Sequence, residues 1–318
     1  MVESKHQWKA WLYLSPALIL IAIFTVWPII NTVRIAFLEG YDRMAEVGGA
    51  TFKFGIKNFV DVVQMTEFLT CLKNTVLLTV ITVPLSTLIA LLIAVGLNSI
   101  KFLNKTLQTI YFLPYVTNSI AIGMVFYQMF NIINAGFIGT ARDELVVYGI
   151  ISHVLNPILD LFGKEPINWI NVGSSYGANL ATMVVYIVWN ALPFKILILL
   201  GGLQSVNKQY YDAAKVDGTS KFRTLWRITV PLLSPMIVYV VITGFIGGFK
   251  EYTSVVGIFG NSMGPAGNAG AMNTMVGLVY NFIKQNQGKA SAGALILFAI
   301  IFVVTLINLS ISKKKTHY

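Results

Sequence analysis

The chain has 318 residues, 56% of them hydrophobic and only 11% charged, with Lys and Arg (23) outnumbering Asp and Glu (13). A soluble domain carries about 25% charged residues, so this composition excludes an ordinary soluble globule and points to a polytopic membrane protein. The basic excess falls between apolar runs and at the ends of the chain. It therefore orients the chain in a bilayer rather than binding nucleic acid.

A membrane-crossing helix needs about 20 largely apolar residues. Six stretches qualify in chain order: 11–37, 74–97, 107–132, 177–203, 231–249 and 291–311. The first follows Lys5 and Lys9. It is too long for a signal-peptide core and has no convincing cleavage site, so it reads as a retained span. Arg34 lies near its end, where its head can reach the interface. Pro16, Pro28, Pro84, Pro114 and Pro193 lie in or beside spans, where neighbouring helices satisfy the freed carbonyls. The expected fold is all-α, one transmembrane domain over 1–318 with six transmembrane helices.

Short-loop charge sets the orientation. The N-terminal tail (Lys5, Lys9), the loop after span two (Lys101, Lys105), the loop 204–230 (Lys208, Lys215, Lys221, Arg223, Arg227) and the C-terminal tail (Lys313 to Lys315) fall on one side when there are six spans. That side is read as the cytoplasm, with both termini inside. The opposite loops are longer and balanced, Arg142 and Lys164 standing against Asp143, Glu144, Asp160 and Glu165.

Within 204–230, Asn207 can cap a helix start and Gly218 can take the left-handed position after its end. Ala213 and Ala214 offer a flat surface between them, with Asp212 and Asp217 as acidic points. Phe222, Leu225 and Trp226 follow at helical spacing, and Pro231 opens span five. Further on, 251–290 is glycine-rich and ends in an apolar piece too short to span, which suits a re-entrant or surface-lying helix. The long loop 133–176 contains Trp169, expected as an interfacial anchor.

Several chemistries are excluded. Cys71 is the sole cysteine, so no intrachain disulfide forms, and it reads as a small buried residue. His6, His153 and His317 are too scattered for a metal site. No GxxxxGK[ST] loop is present, so ATP is not bound that way. A channel would carry a filter motif, and none is present. An ion-coupled carrier usually carries acidic residues deep in its spans, and with none there it stands only as the lesser alternative.

The loop 204–230 resembles the cytoplasmic loop of permeases in binding-protein-dependent ABC importers. The family pattern is E-A-A, three residues, G, nine residues, I-x-L-P. Here Asp212-Ala213-Ala214, Gly218 and Ile228-Thr229-Val230-Pro231 keep that spacing, with Asp in place of Glu. The strings AAKVDG and VPLLSP resemble MalF-type carbohydrate permeases, and FLPYVTNS, VWNALPF and FKEYTSVV extend the likeness over residues 10–312. The resemblance implies a transport subunit rather than an enzyme, with no cofactor of its own. ATP and Mg would sit on a partner ATPase dimer, whose cleft would receive the 207–218 helix at Asp212, Ala213, Ala214, Asp217 and Gly218. A second homologous permease, an extracytoplasmic solute-binding protein, membrane lipid and a sugar complete the expected partners.

By the same resemblance, the solute path carries Tyr115 and Ser119 on one face of span three, Asn190 and Phe194 on span four, and Gly244 and Gly248 on span five. Glu251, with Lys250 at the outer end of span five, is positioned to line the entrance. Gly244 and Gly248 also read as a close-packing GxxxG. Lys195 is expected to snorkel out of span four. Cargo is expected to be a sugar or oligosaccharide, with a polyol or phosphorylated polyol as the alternative. Phosphorylated cargo wants several cationic donors, and Lys195 is the single candidate.

Overall fold

The computed structural model describes residues 7–100, 104–135, 145–164 and 166–315. Lys5, His6, Lys101, Arg142, Asp143, Glu144, Glu165 and His317 lie outside that set, as do the side chains of Lys105 and Lys313 to Lys315. Contacts divide the chain into two units, Met1–Phe68 with Leu278–Ala299 and Leu69–Gly277 with Ile300–Tyr318.

In the first unit, α1 (Gln7–Ile21) runs through a π-helical turn (Ala22–Val26) into α2 (Trp27–Ala36). Pro16 lies inside α1 without ending it, and Pro28 sits at the start of α2, where its missing N–H costs little. The outward surface of this helix is apolar along its length, from Trp11 to Ile30. A short hairpin follows: β1 (Leu38–Glu39) pairs antiparallel with β2 (Lys53–Phe54), and α3 (Arg43–Val47) fills the bend. Phe37 stacks on Phe54 at 5.2 Å and packs on Phe59 at 5.0 Å. In α4 (Lys57–Val63), Asn58 Nδ2 donates to the carbonyls of Ala36 and Leu38 at 3.0 and 2.9 Å, closing the end of α2. Arg34 does not simply reach for the interface. It pairs with Glu46, whose other carboxylate oxygen accepts from Tyr41 Oη at 2.6 Å.

The second unit holds most of the long helices. α5 (Thr66–Ser99) starts two turns before the expected span, because the polar segment before Asn74 simply continues the helix. Its own hydroxyls fold back on it. Thr79 Oγ1 donates to Thr75 O at 2.7 Å, Ser86 Oγ to Thr82 O at 2.5 Å and Thr87 Oγ1 to Val83 O at 2.7 Å. Such bonds keep small polar groups tolerable in an apolar medium. α9 (Tyr176–Ser205) is continuous through Pro193, and it packs on α5 through Leu199, Leu203, Ala90, Ala94 and Leu97. α16 (Gln287–Lys315) is the last long helix.

Spans three and five are not single rods. α6 (Asn104–Val116) and α7 (Ser119–Phe130) meet at 102°, and the segment 221–232 meets α13 (Ser234–Phe249) at 72°. Among the described residues, four helices are long and apolar enough to cross a membrane, and six if each bent pair is one span.

The all-α expectation needs a correction for two small hairpins, the one above and β3 (Ile132–Ala135) paired with β4 (Leu145–Tyr148). Both lie between helices, where extended backbone must find partners. α8 (Ile150–Leu161) follows. Beyond α13 come α14 (Thr253–Phe259), a closed turn and α15 (Met275–Phe282). The turn closes through Met272 N to Met263 O at 2.9 Å and Gly270 N to Ser262 O at 2.7 Å. Asn74, fully buried in α5, binds this segment, donating to Ala271 O and Asn273 O at 2.9 and 2.8 Å while accepting from Tyr176 Oη at 2.8 Å. α14 lies hard against α7. A Cβ built on Gly123 would stand 2.5 Å from Gly257 Cα, so only glycine fits there. Trp169, expected as an interfacial anchor, is half-buried. It packs edge-on against Phe130 at 5.5 Å, within an apolar cluster that includes Met183 and Tyr186. Cys71 is fully buried, as its type suggests.

Candidate functional site

A cavity of about 300 Å³ is walled by α5, α6, α9 and α13. Two helix breaks shape it. At the first, Asn118 caps α7, its Oδ1 accepting from Ile120 N at 2.9 Å. This turns the chain immediately after Tyr115. At the second, after α13, Glu251 Oε1 accepts from Tyr252 N at 3.1 Å and Ser254 N at 3.0 Å, holding the first turn of α14. Thr274 Oγ1 donates to the Glu251 carbonyl at 2.7 Å. A carboxylate beside free N–H groups at a helix start is favoured by both hydrogen bonding and dipole.

Six of the seven residues predicted on the path line this cavity: Tyr115, Asn190, Phe194, Gly244, Gly248 and Glu251. Ser119 does not. The break at 117–118 puts it on a different helix from Tyr115, so the shared face expected from one continuous span is lost; its carbonyl instead accepts from Tyr186 Oη. Tyr115 stacks on Phe194 at 5.9 Å and 19°, and Phe194 meets Tyr239 at 6.5 Å, giving an aromatic row from α6 across α9 to α13. Asn190 has no side-chain partner among the described residues and stands on the cavity wall.

The two glycines are packing positions as well as wall. A Cβ on Gly248 would lie 2.8 Å from Thr79 Cγ2, and one on Gly244 would lie 3.1 Å from Val83 Cγ1 and 3.3 Å from Lys195 Nζ. Small residues here let α13 approach α5 closely.

Lys195 does not snorkel. It is 4% exposed, and its Nζ donates to Val83 O at 3.1 Å, Ser86 Oγ at 2.7 Å and Thr87 Oγ1 at 2.9 Å. An ammonium has three donors, and all three are occupied by α5. Without them a buried charge would cost several kcal/mol. The partners flank Pro84, on the face of α5 that α9 covers. Sequence reasoning missed Thr82, Val83 and Ser86 as wall residues. The run of small hydroxyls either side of Pro84, four residues apart, was the available signal.

A second, larger cavity of about 680 Å³ lies among Tyr127, Asn171, Phe259, Ser262 and Pro265, and none of the predicted residues lines it. Its serine is occupied, Ser262 Oγ meeting the carbonyls of Phe259 and Gly264 at 2.7 and 2.8 Å.

The loop helix is present with both expected caps. α10 (Lys208–Val216) starts at Asn207, whose Oδ1 accepts from Gln209 N at 3.0 Å. It ends in a Schellman arrangement: Thr219 N bonds Ala214 O at 2.9 Å, Gly218 N bonds Lys215 O at 3.1 Å, and Gly218 has φ +65°. The two alanines do not form one surface. Ala214 is buried and Ala213 exposed. Asp212 and Lys215 form an exposed pair at 2.9 Å, and Asp217 is exposed at the end of the helix. Beyond it come α11 (Lys221–Thr224) and a π-helical turn (Leu225–Thr229), with Phe222 and Trp226 turned outward edge to face at 6.2 Å. α12 (Val230–Leu232) then leads into α13.

The model of the binding-protein-dependent transport system inner membrane component family matches residues 83–317. The chain belongs to that family. This inner membrane component is 30% identical over 306 residues to the arabinooligosaccharides transport permease AraP of Bacillus subtilis, covering 95% of this chain and 88% of that one. It is 26% identical over 301 residues to the lactose transport permease LacF of Rhizobium radiobacter, covering 94% and 91%. It is 26% identical to the sn-glycerol-3-phosphate permease UgpA of Agrobacterium fabrum, covering 97% and 96%. In fold it is similar to a bacterial ABC transporter importing the acidic polysaccharide alginate, with TM-score 0.74, 18% identity and 98% of both chains covered. It is a multi-pass membrane protein whose relatives are transport permeases.

Proposed function

We propose that this inner membrane component is one of two permease subunits in an ATP-driven importer for a sugar or oligosaccharide. The cavity among α5, α6, α9 and α13 is its share of the solute path. Each bent pair counts as one span, giving six, with both termini and the loop 204–230 in the cytoplasm, as the clustered lysines and arginines favour. An ATPase dimer, which carries the ATP and Mg, seats α10 in a cleft. An extracytoplasmic solute-binding protein delivers cargo to the far side, and a homologous second permease supplies the other wall.

The observation that carries this reading is the convergence of residues from α6, α9 and α13 on one cavity, with an aromatic row and an open amide. Aromatic faces against sugar C–H groups and a few placed polar groups are the usual make-up of such sites. Relatives named for lactose and arabinooligosaccharides support the cargo class.

The coupling half is tested with Gly218→Val. Transport by the reconstituted complex falls at least tenfold while the complex still assembles in the membrane; unchanged uptake discards the docking role. Gly218→Asn, which tolerates positive φ, keeps most activity.

A further inference from the structure

We infer that the cavity selects uncharged, polyhydroxylated cargo, and that Glu251, not Lys195, is the charged group that meets it. The inference rests on the cavity being the solute path. Its polar groups fall into two sets. Lys195 is the one cation among the described residues lining the wall, and Val83 O, Ser86 Oγ and Thr87 Oγ1 take its three donors. None is left for a cargo oxygen. Glu251 offers the opposite case. Its Oε1 accepts from two backbone N–H groups, those of Tyr252 and Ser254, and the Ser254 side chain also faces the carboxyl. The residue still lines the cavity with acceptor capacity beyond these partners. Asn190 and Tyr115 add an amide and a phenol, also open.

The open inventory among the described residues is thus a carboxylate acceptor, one amide, one phenolic hydroxyl and the wall hydroxyls of Thr82 and Thr243, with no free cationic donor. A phosphate or uronate needs charge-assisted donors, which this wall withholds, and it would meet a carboxylate of like charge. A sugar hydroxyl donates to that carboxylate through a charge-assisted hydrogen bond. The relatives' named cargoes divide along this line, lactose and arabinooligosaccharides on one side and glycerol 3-phosphate and alginate on the other. The chemistry of the wall puts this chain with the neutral pair.

The test is cargo protection of a cavity thiol in the assembled transporter. Thr243→Cys, on the wall, is introduced with Cys71→Ala, and its alkylation by N-ethylmaleimide is timed with lactose, arabinotriose, sn-glycerol 3-phosphate or trimannuronate. At least one neutral probe slows alkylation severalfold, and the two anions at equal concentration leave it unchanged. Glu251→Gln raises the protecting concentration about tenfold or more. Lys195→Met leaves the order of the probes unaltered and lowers the melting temperature of the complex. Protection by an anion, protection by none of the four, or a reordering by Lys195→Met without an effect of Glu251→Gln overturns the inference. A thiol at 243 that never reacts removes the cavity from the path, which is the failure of the broader reading instead.

Discussion

Single residues in this molecule are decided by who stands opposite them. Gly248 faces Thr79 closely enough that any Cβ must displace it. Gly248→Ala is therefore expected to destabilise the complex by about 1–3 kcal/mol, the cost of overpacking a close contact, read as a lower melting temperature in detergent. Gly247, which meets nothing within 4 Å, is the matched control. Glu46 gives a pH signature. Hydrogen bonding from Tyr41, then from Arg34, holds its carboxyl below the usual carboxylate range. Because the folded form is the more acidic, its contribution is present above the ordinary carboxylate value and disappears as pH falls through the lowered one. The melting difference between wild type and Glu46→Gln should be visible at pH 7 and shrink as the pH is lowered through the carboxylate range; a difference that does not change with pH rules this out. Lys195 shows the limit of sequence reading at this scale. An apolar run with one lysine says nothing about whether hydroxyls on another helix, more than a hundred positions away, will meet its ammonium.

At the scale of elements, local signals were legible and long-range ones were not. Asn207 and Gly218 marked the ends of α10 because capping is a property of the few residues at a terminus. The continuous helices α5 and α9 followed from length and apolarity. The break between α6 and α7 did not, since 107–132 reads as one apolar run and the proline in it, Pro114, sits before the turn rather than at it. The residue that makes the turn is Asn118, and an asparagine in a span reads equally as interhelical glue. Asn118→Ala removes that cap and should cost about 1 kcal/mol, seen as a lower melting temperature and altered alkylation at Thr243→Cys, because Tyr115 is the wall residue nearest the break. Loss of melting temperature without any change in alkylation would separate the cap from the cavity.

For the whole molecule, the orientation is the statement most exposed to experiment. With six spans and both termini inside, Lys164 and Lys215 stand on opposite sides of the membrane. Cysteines placed at each, with Cys71→Ala, should react with an impermeant maleimide from outside at 164 and only after permeabilisation at 215. Both thiols reacting from one side would cancel the six-span count. Membrane class was legible from composition alone, and the described residues hold four helices able to cross, or six if each bent pair is one span. The small hairpins were not legible, since strands of two and four residues leave too little alternation to read. The meeting of α5 with the 271–275 segment was not either, since Asn74 finds its carbonyl partners nearly two hundred residues later.

The contact of Gly123 with Gly257 leaves no room for a side chain, so the backbones of α7 and α14 meet directly and any larger residue there drives them apart. In any cycle that exposes the cavity first to one side and then to the other, these two short helices are expected to move together. Non-helical joints at 117–118 and 250–252 flank the pair, with Tyr115 in the last turn before the first and Glu251 within the second.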